Sequence, residues 1–564
     1  MEEWVLKTED LRVQFMHDGV YQTAVDGVSY EVQRGRTLGI VGESGSGKSV
    51  SSMSVMGLLP KPPHCLVEGK AYLRTADEEP VELISMSEEE KRRFRGRNIS
   101  MIFQEPMTSL NPVQKCGAQV VEMLRQHEEV GRKEARDRVL KLFEEVKLPR
   151  PEKIFESYPH EISGGQKQRV MIAMALICHP NLLIADEPTT ALDVTVQKTI
   201  LELLRSLQQK YNIGIIFITH DLGVIAQIAD DVAVMYKGKI VEQGPAEKVL
   251  HHPQHPYTQG LLACRPPLDS RPHRLPTVKE FLEGREVAQP EADGAMAFTQ
   301  KTGEPLMSVR DLEVTYALEK NIFGKTTKEL KAVDGFSFDI FEGETLGLVG
   351  ESGCGKSTLG RTLLRLLDHS SGTITYRGHN LDKLSHSEQH ELRRKVQIVF
   401  QDPYSSLNPR ITIGEAILEP LRCHHLYSSS SERRERVMQL MKQVGLEPEW
   451  YNRYPHEFSG GQRQRVCLAR ALILEPELVV CDESVSALDV SVQAQVLNLL
   501  NELKETYGYT YLFITHDLSV VKFLSDRIMV MEKGRLVETA PSDELFAHPQ
   551  HPYTQRLLSA IPRV

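Results

Sequence analysis

At 564 residues and 63.8 kDa, the chain exceeds what one apolar core supports and suits two or more domains. A formal net charge of −10 and a pI near 6.1 exclude a predominantly basic, nucleic-acid-binding surface, although a local basic patch stays compatible. No run of 18 apolar residues occurs, the first ten residues lack a secretory leader, and the eight cysteines are scattered without a C-x-x-C pair, so the expectation is a cytosolic chain with reduced, metal-free thiols that does not itself span a membrane.

The first predicted unit is strand, loop, helix. The apolar run Thr37-Leu-Gly-Ile-Val41 leads into Gly42-Glu43-Ser44-Gly45-Ser46-Gly47-Lys48-Ser49, which fits G-x-x-x-x-G-K-[ST]. Glycines let the backbone turn its N–H groups onto phosphate oxygens, and the following helix offers its positive end to the anion. Lys48 would reach the outer phosphates of a nucleoside triphosphate, and Ser49 would hold Mg²⁺. A second strand, Ile99-Ser-Met-Ile-Phe103, runs into Gln104. Ser163-Gly164-Gly165-Gln166 then places a hydroxyl and glycine N–H groups at a helix start, a second kind of anion site.

Next, Asn181-Leu-Leu-Ile-Ala185 ends at the carboxylate pair Asp186 and Glu187, where a parallel sheet presents active groups. Val196, Ile200, Leu203, Leu204 and Leu207 mark one face of a helix, and the strand 213–219 ends at His220. The stretch 265–307 is rich in proline and charge and reads as a linker. At ~3.3 Å per residue it could reach roughly 140 Å, so it leaves the meeting of its two ends undetermined.

The same features then return. Thr345-Leu-Gly-Leu-Val349 precedes Gly350-Glu351-Ser352-Gly353-Cys354-Gly355-Lys356-Ser357, with Thr358 next in the helix, 308 positions after the first loop. Gln401 follows Gln104 by 297. Ser459-Gly460-Gly461-Gln462, Asp482-Glu483, His516 and a His-Pro-Tyr-Thr tail all return at 296. The first copy therefore has 11 extra residues between loop and glutamine, expected as a surface insertion around 75–90. A period near 300 means duplication of a whole domain, with boundaries expected at 1–264 and 308–564.

With these residues in view, the chain resembles a pair of fused ATP-binding cassettes of an ABC transporter, over both halves almost end to end. The resemblance implies an α/β fold: two P-loop NTPase domains in tandem, each with a mostly parallel sheet core, an antiparallel β part and a helical subdomain. It implies ATP and Mg²⁺ as ligands, with Ser49, Gln104 and Asp186, and Ser357, Gln401 and Asp482, toward the metal. It assigns Glu187 and Glu483 as bases on the attacking water, Gln104 and Gln401 as glutamines that sense metal and water and contact the membrane partner, and His220 and His516 to the γ-phosphate. Ser163 to Gln166 would face the phosphates at Lys356, and Ser459 to Gln462 those at Lys48, sandwiching two ATP molecules head to tail. Asp193 and Asp489 resemble the loop that crosses that interface. Phe15 and Tyr316 are the expected adenine-stacking aromatics, with Tyr21 as runner-up. One departure is that Ser484 stands where the first copy has Pro188. Both sites are expected to hydrolyse ATP, at rates that need not be equal.

The stretch Gln-Glu-Pro-Met-Thr-Ser-Leu-Asn-Pro from Gln104 and the tails at 252–262 and 548–558 resemble bacterial dipeptide, oligopeptide and nickel importer ATPases. The fused arrangement is similar to that of some peptide and glutathione importers. The resemblance implies two integral-membrane permease subunits and an extracytoplasmic solute-binding protein as partners, no nucleic acid, an intramolecular cassette pair with one copy per transporter, and residence on the cytoplasmic face of the inner membrane. Peptide is the expected cargo and nickel the alternative. Cys264 alone stands where some relatives carry a cysteine-rich tail, so no iron–sulfur cluster is expected. A soluble translation-factor ABC ATPase would show a basic helical linker, and a DNA-repair ATPase zinc cysteines or a coiled coil; neither pattern occurs.

Overall fold

The computed structural model describes residues 3–75, 79–104, 109–189, 192–285, 303–320 and 326–562. Of the features named above, 76–78 of the insertion, 105–108 after Gln104, positions 190–191 and 286–302 of the linker lie outside the described residues.

Each half repeats one architecture. In the first, a six-stranded sheet runs Lys239–Pro245, Asp231–Tyr236, Thr37–Val41, Gly214–Thr219, Leu182–Asp186, Ile99–Ile102. The last five strands are mutually parallel and the first is antiparallel to its neighbour. The second half has the same order, from Arg535–Pro541 through Thr345–Val349 to Val396–Val399. Thr37–Val41, Leu182–Asp186 and Gly214–Thr219 are buried along their whole length, which is why they read as unbroken apolar runs with no alternation. The predicted strands stand, displaced by no more than one residue at an end.

An antiparallel sheet led by Trp4–His17 in the first half, and by Met307–Lys320 in the second, flanks each parallel sheet. Helices Cys116–His127 and Arg132–Glu145, matched by Ile413–Cys423 and Ser430–Gln443, form the helical part. Helix Val194–Tyr211 buries Ile200, Leu203, Leu204 and Leu207, the face predicted from their spacing, while Val196 is partly covered.

One expectation is corrected. Gly69 and Gly372 occupy the same tight approach to the carbonyls of Asp10 and Asp311 and lie 303 positions apart, against 308 for the loop lysines. Five of the 11 extra residues therefore precede Gly69, spread from helix Lys48–Met56 to the start of strand Cys65–Leu73, and only the rest fall near 75–90.

The first part of the linker packs on both halves. Leu275 is fully buried, and its backbone N–H donates to Asn498 Oδ1 while Asn498 Nδ2 donates to its carbonyl, both at 2.8 Å. Buried Arg271 donates to the Phe523 carbonyl at 3.1 Å. Val278 packs against Gly260 so closely that a Cβ there would lie 2.9 Å from its Cα. One apolar cluster runs from the first half through Leu275 and Val278 into Leu497 and Leu500 of the second. Burial of apolar side chains, which residue reach could not reveal, pins this stretch.

Candidate functional site

Parallel register sets Val41 beside Thr219 and Asp186 beside Ile218, so the loop 42–49, the pair Asp186 and Glu187, and His220 leave the sheet at one edge. Ligands of open α/β sheets bind at that edge. The second half repeats this around Leu348, Asp482 and Ile514.

The loops are shaped for an anion. Gly47 and Gly355 hold φ of 99° and 112° at the helix starts, and a Cβ at Gly42 or Gly350 would come within 2.2 Å of the Met235 or Met531 carbonyl oxygen. Lys48 Nζ donates to the carbonyls of Gly42 and Glu43 at 2.7 and 2.9 Å, and Lys356 Nζ to those of Gly350 and Glu351 at 2.8 and 2.9 Å. Both ammoniums thus fold over their loops. Ser46 Oγ is buried with no hydrogen-bond partner among the described residues, which suits a phosphate oxygen.

Ser49 Oγ donates to Asp186 Oδ1 at 2.9 Å, and Ser357 Oγ to Asp482 Oδ1 at 2.8 Å. Burial, reinforced by neighbouring Glu187, raises Asp186 to about 6 against the pull of Ser49 and Lys48. Burial raises Asp482 in the same way. A buried carboxylate short of positive charge, bonded to a hydroxyl, is a donor set that fits a hard divalent cation.

Glu187 and Glu483 sit in the left-handed region, at φ 45° and 49°, with their N–H groups donated to the Ile218 and Ile514 carbonyls at 2.9 Å. Non-glycine residues held there store strain of order 1–3 kcal/mol, a mark of functional positions. Proline after Glu187 and serine after Glu483 leave the two turns the same shape. Gln104 Nε2 donates to Glu187 Oε2 at 2.9 Å, and His220 Nδ1 lies 3.2 Å from Oε1. Gln401 Nε2 donates to Glu483 Oε2 at 2.8 Å, with His516 Nδ1 at 3.5 Å. Burial alone would lower both imidazoles, but the facing glutamates raise them. Burial likewise works to raise Glu483, and His516 with Lys356 overcomes it, leaving the carboxyl below its ordinary value.

The two halves meet over these loops. Asp489 Oδ1 accepts from Ser44 N and Oγ at 2.9 and 3.0 Å. Glu43 accepts from the Ser491 hydroxyl, and Glu351 from Thr195 Oγ1 at 2.9 Å. Asp193, in contrast, accepts from Val196 N at 2.9 Å, capping its own helix, and shares the single Thr195 hydroxyl hydrogen with Glu351, its oxygen lying 2.6 Å from Thr195 Oγ1. A cavity of about 460 Å³ is lined by Ser352 to Thr358, Gln401, Glu483, His516, Tyr316 and, from the other half, Asp193. Ser163, expected at this cavity, does not line it; Ser163 and Ser459 each cap their own helix through Gln166 N or Gln462 N, with Gly164, Gly165, Gly460 and Gly461 in the first turn. Tyr316 is 39% exposed on that cavity, while Phe15 packs against the antiparallel-sheet core and Tyr21 donates to the Pro63 carbonyl. Thr195, Ser491 and the tail tyrosines Tyr257 and Tyr553 were not singled out by sequence reading. The return of each tail at a fixed offset was the only signal for the tyrosines.

The ABC transporter profile matches residues 25–190 and 333–486, enclosing both phosphate loops and both carboxylate pairs. The chain belongs to the ABC transporter family. An oligopeptide/dipeptide transporter C-terminal region matches at 241–290 and 537–564, covering both tails of this ABC ATPase. Over 559 residues the chain is 49% identical to the glutathione import ATP-binding protein GsiA of Salmonella choleraesuis (strain SC-B67), covering 99% of this chain and 89% of the relative. The protein of that name from Escherichia coli (strain K12) is 48% identical over 566 residues, with the same coverage. Among solved structures, a dimeric post-hydrolysis state of the cassette MJ0796 bound to ADP and Pi matches at 29% identity and a TM-score of 0.38, covering 42% of this chain and 98% of that one. This ABC ATPase is thus a transporter subunit of two tandem cassettes that binds and hydrolyses ATP. Among the described residues no helix is long and apolar enough to cross a membrane.

Proposed function

We propose that this ABC ATPase powers import of short peptides, glutathione-like ones included, from the cytoplasmic face of the bacterial inner membrane. Its partners in this reading are two integral-membrane permease subunits and an extracytoplasmic solute-binding protein. Near full-length similarity to glutathione import proteins, with the peptide-transporter region in both tails, supports the cargo class. The cassettes run 1–264 and 308–564, pair within one chain, and suit one copy per transporter.

The single observation that carries the mechanism is the bond from Ser44 to Asp489, which makes the second cassette part of the first cassette's phosphate loop. Lys48 and Lys356 bind the outer phosphates through their loops; Ser49 with Asp186, and Ser357 with Asp482, would hold Mg²⁺, aided by Gln104 and Gln401. Bound there, Mg²⁺ supplies charge neutralisation on the phosphates. Glu187 and Glu483 each orient a water and take its proton, and His220 and His516 hold the carboxylate in place. Closing and reopening of the cassettes passes to the permeases as a change of access.

Co-purification from detergent-solubilised membranes tests the partners: permease subunits support the reading, and ribosomes or DNA overturn it. Melting of the cognate solute-binding protein with glutathione, dipeptides and Ni²⁺ tests the cargo. Stabilisation by Ni²⁺ alone would replace peptide with nickel.

A further inference from the structure

The His-Pro-Tyr-Thr tails have so far served only as markers, yet each builds into a phosphate loop. His255 and His551 cap a short helix by accepting from the N–H of Tyr257 and Tyr553 at 3.1 and 3.2 Å, and Pro256 and Pro552 start it. Glu242 and Glu538 accept the backbone N–H groups just ahead of the helix, fixing where it begins. The tyrosine ring is thereby driven inward: Tyr257 is fully buried and Tyr553 nearly so. Its hydroxyl accepts from the backbone N–H of the loop glutamate, Glu43 to Tyr257 at 3.1 Å and Glu351 to Tyr553 at 3.0 Å. Those two glutamates are the residues whose carboxylates cross to Ser491 and Thr195. The tail helices Pro256–Ala263 and Pro552–Ser559 also pack against the other cassette's helices Val490–Tyr507 and Val194–Tyr211.

We infer that Tyr257 and Tyr553 are positioning residues: each fixes the loop peptide of Glu43 or Glu351 so that one glutamate shapes its own phosphate loop and grips the opposite cassette through Ser491 or Thr195. Without the tyrosine hydroxyl, the part-buried N–H of Glu43 or Glu351 loses its acceptor, and the peptide is free to turn away from the orientation that serves phosphate and partner together.

The test compares ATP turnover by the full chain with Tyr257→Phe, Tyr553→Phe and the double variant, each keeping the ring that packs. The expected result is a KM for ATP raised about fivefold per hydroxyl, with kcat within about twofold of the parent. Unchanged KM overturns the inference, whether or not the melting temperature falls. Should a tyrosine variant fail to fold, Thr195→Val and Thr195→Ser read the relay from the far side. The valine is expected to raise KM and the serine, the residue type at 491, to restore it; equal KM in both overturns the inference. The argument rests on the ATPase reading, which the parent's own turnover checks, whereas variant-to-parent ratios check the relay.

Discussion

The two cassettes share a candidate site almost atom for atom and differ in what reaches that site from the other half. Serine to aspartate, glutamine to glutamate and lysine to loop are bonded alike in both. Asp489, however, crosses to Ser44, while its counterpart Asp193 turns back onto its own helix. The linker adds a second asymmetry by lying on the second cassette's helix through Leu275 and Asn498. Among the described residues, the bonds of the two candidate sites repeat by geometry, and inequality enters through the Asp489 and Leu275 contacts, which have no counterpart in the other half.

The largest expected effect breaks both sites together. Glu187→Gln with Glu483→Gln should cut turnover by ~10²–10⁴ while leaving ATP bound, because a base that takes the proton is lost and the loops are not. Trapped nucleotide and phosphate release measure this; parental turnover would remove the base assignment. The two single variants then sharpen the comparison, since unequal losses would locate the faster site.

Asp186→Asn should stabilise the nucleotide-free protein while abolishing Mg²⁺-dependent turnover. Burial raises the folded carboxyl from 3.8 to about 6, so its favourable contribution is complete below pH 3.8 and lost as pH rises through about 6. Above that, the ionised buried carboxylate costs ~3 kcal/mol, which asparagine avoids. Melting followed from pH 4 to 7 should show the variant's advantage open across that window and then level off. A constant difference would refute the burial argument. Asp482→Asn should act in the same direction.

Asp489→Ala removes two bonds between cassettes, whereas Asp193→Ala removes a cap. The first should raise the ATP requirement roughly tenfold with little loss of melting temperature. The second should cost ~1 kcal/mol of stability, with a smaller kinetic change. Similar kinetics in the two variants would erase the asymmetry. The smallest effect belongs to Ser484→Pro: because Glu483 already shares the Glu187 backbone and its bond to the strand carbonyl, turnover should change by less than about twofold.

The duplicated α/β architecture and most of each candidate site were legible in the sequence, because those features are local. Eight consecutive residues shape a phosphate loop, and an apolar run ending at Asp186 and Glu187 states both burial and where the chain emerges. It placed the inserted residues only approximately, since a count of spacing cannot say on which side of Gly69 they lie. Tertiary structure alone decided that Asp489 meets Ser44, 445 positions away, that Tyr257 meets Glu43, 214 positions away, and that Leu275 anchors the linker. Those pairings arise from strand order and from apolar faces packing between the halves, and such contacts between distant positions leave no local periodicity or spacing to read.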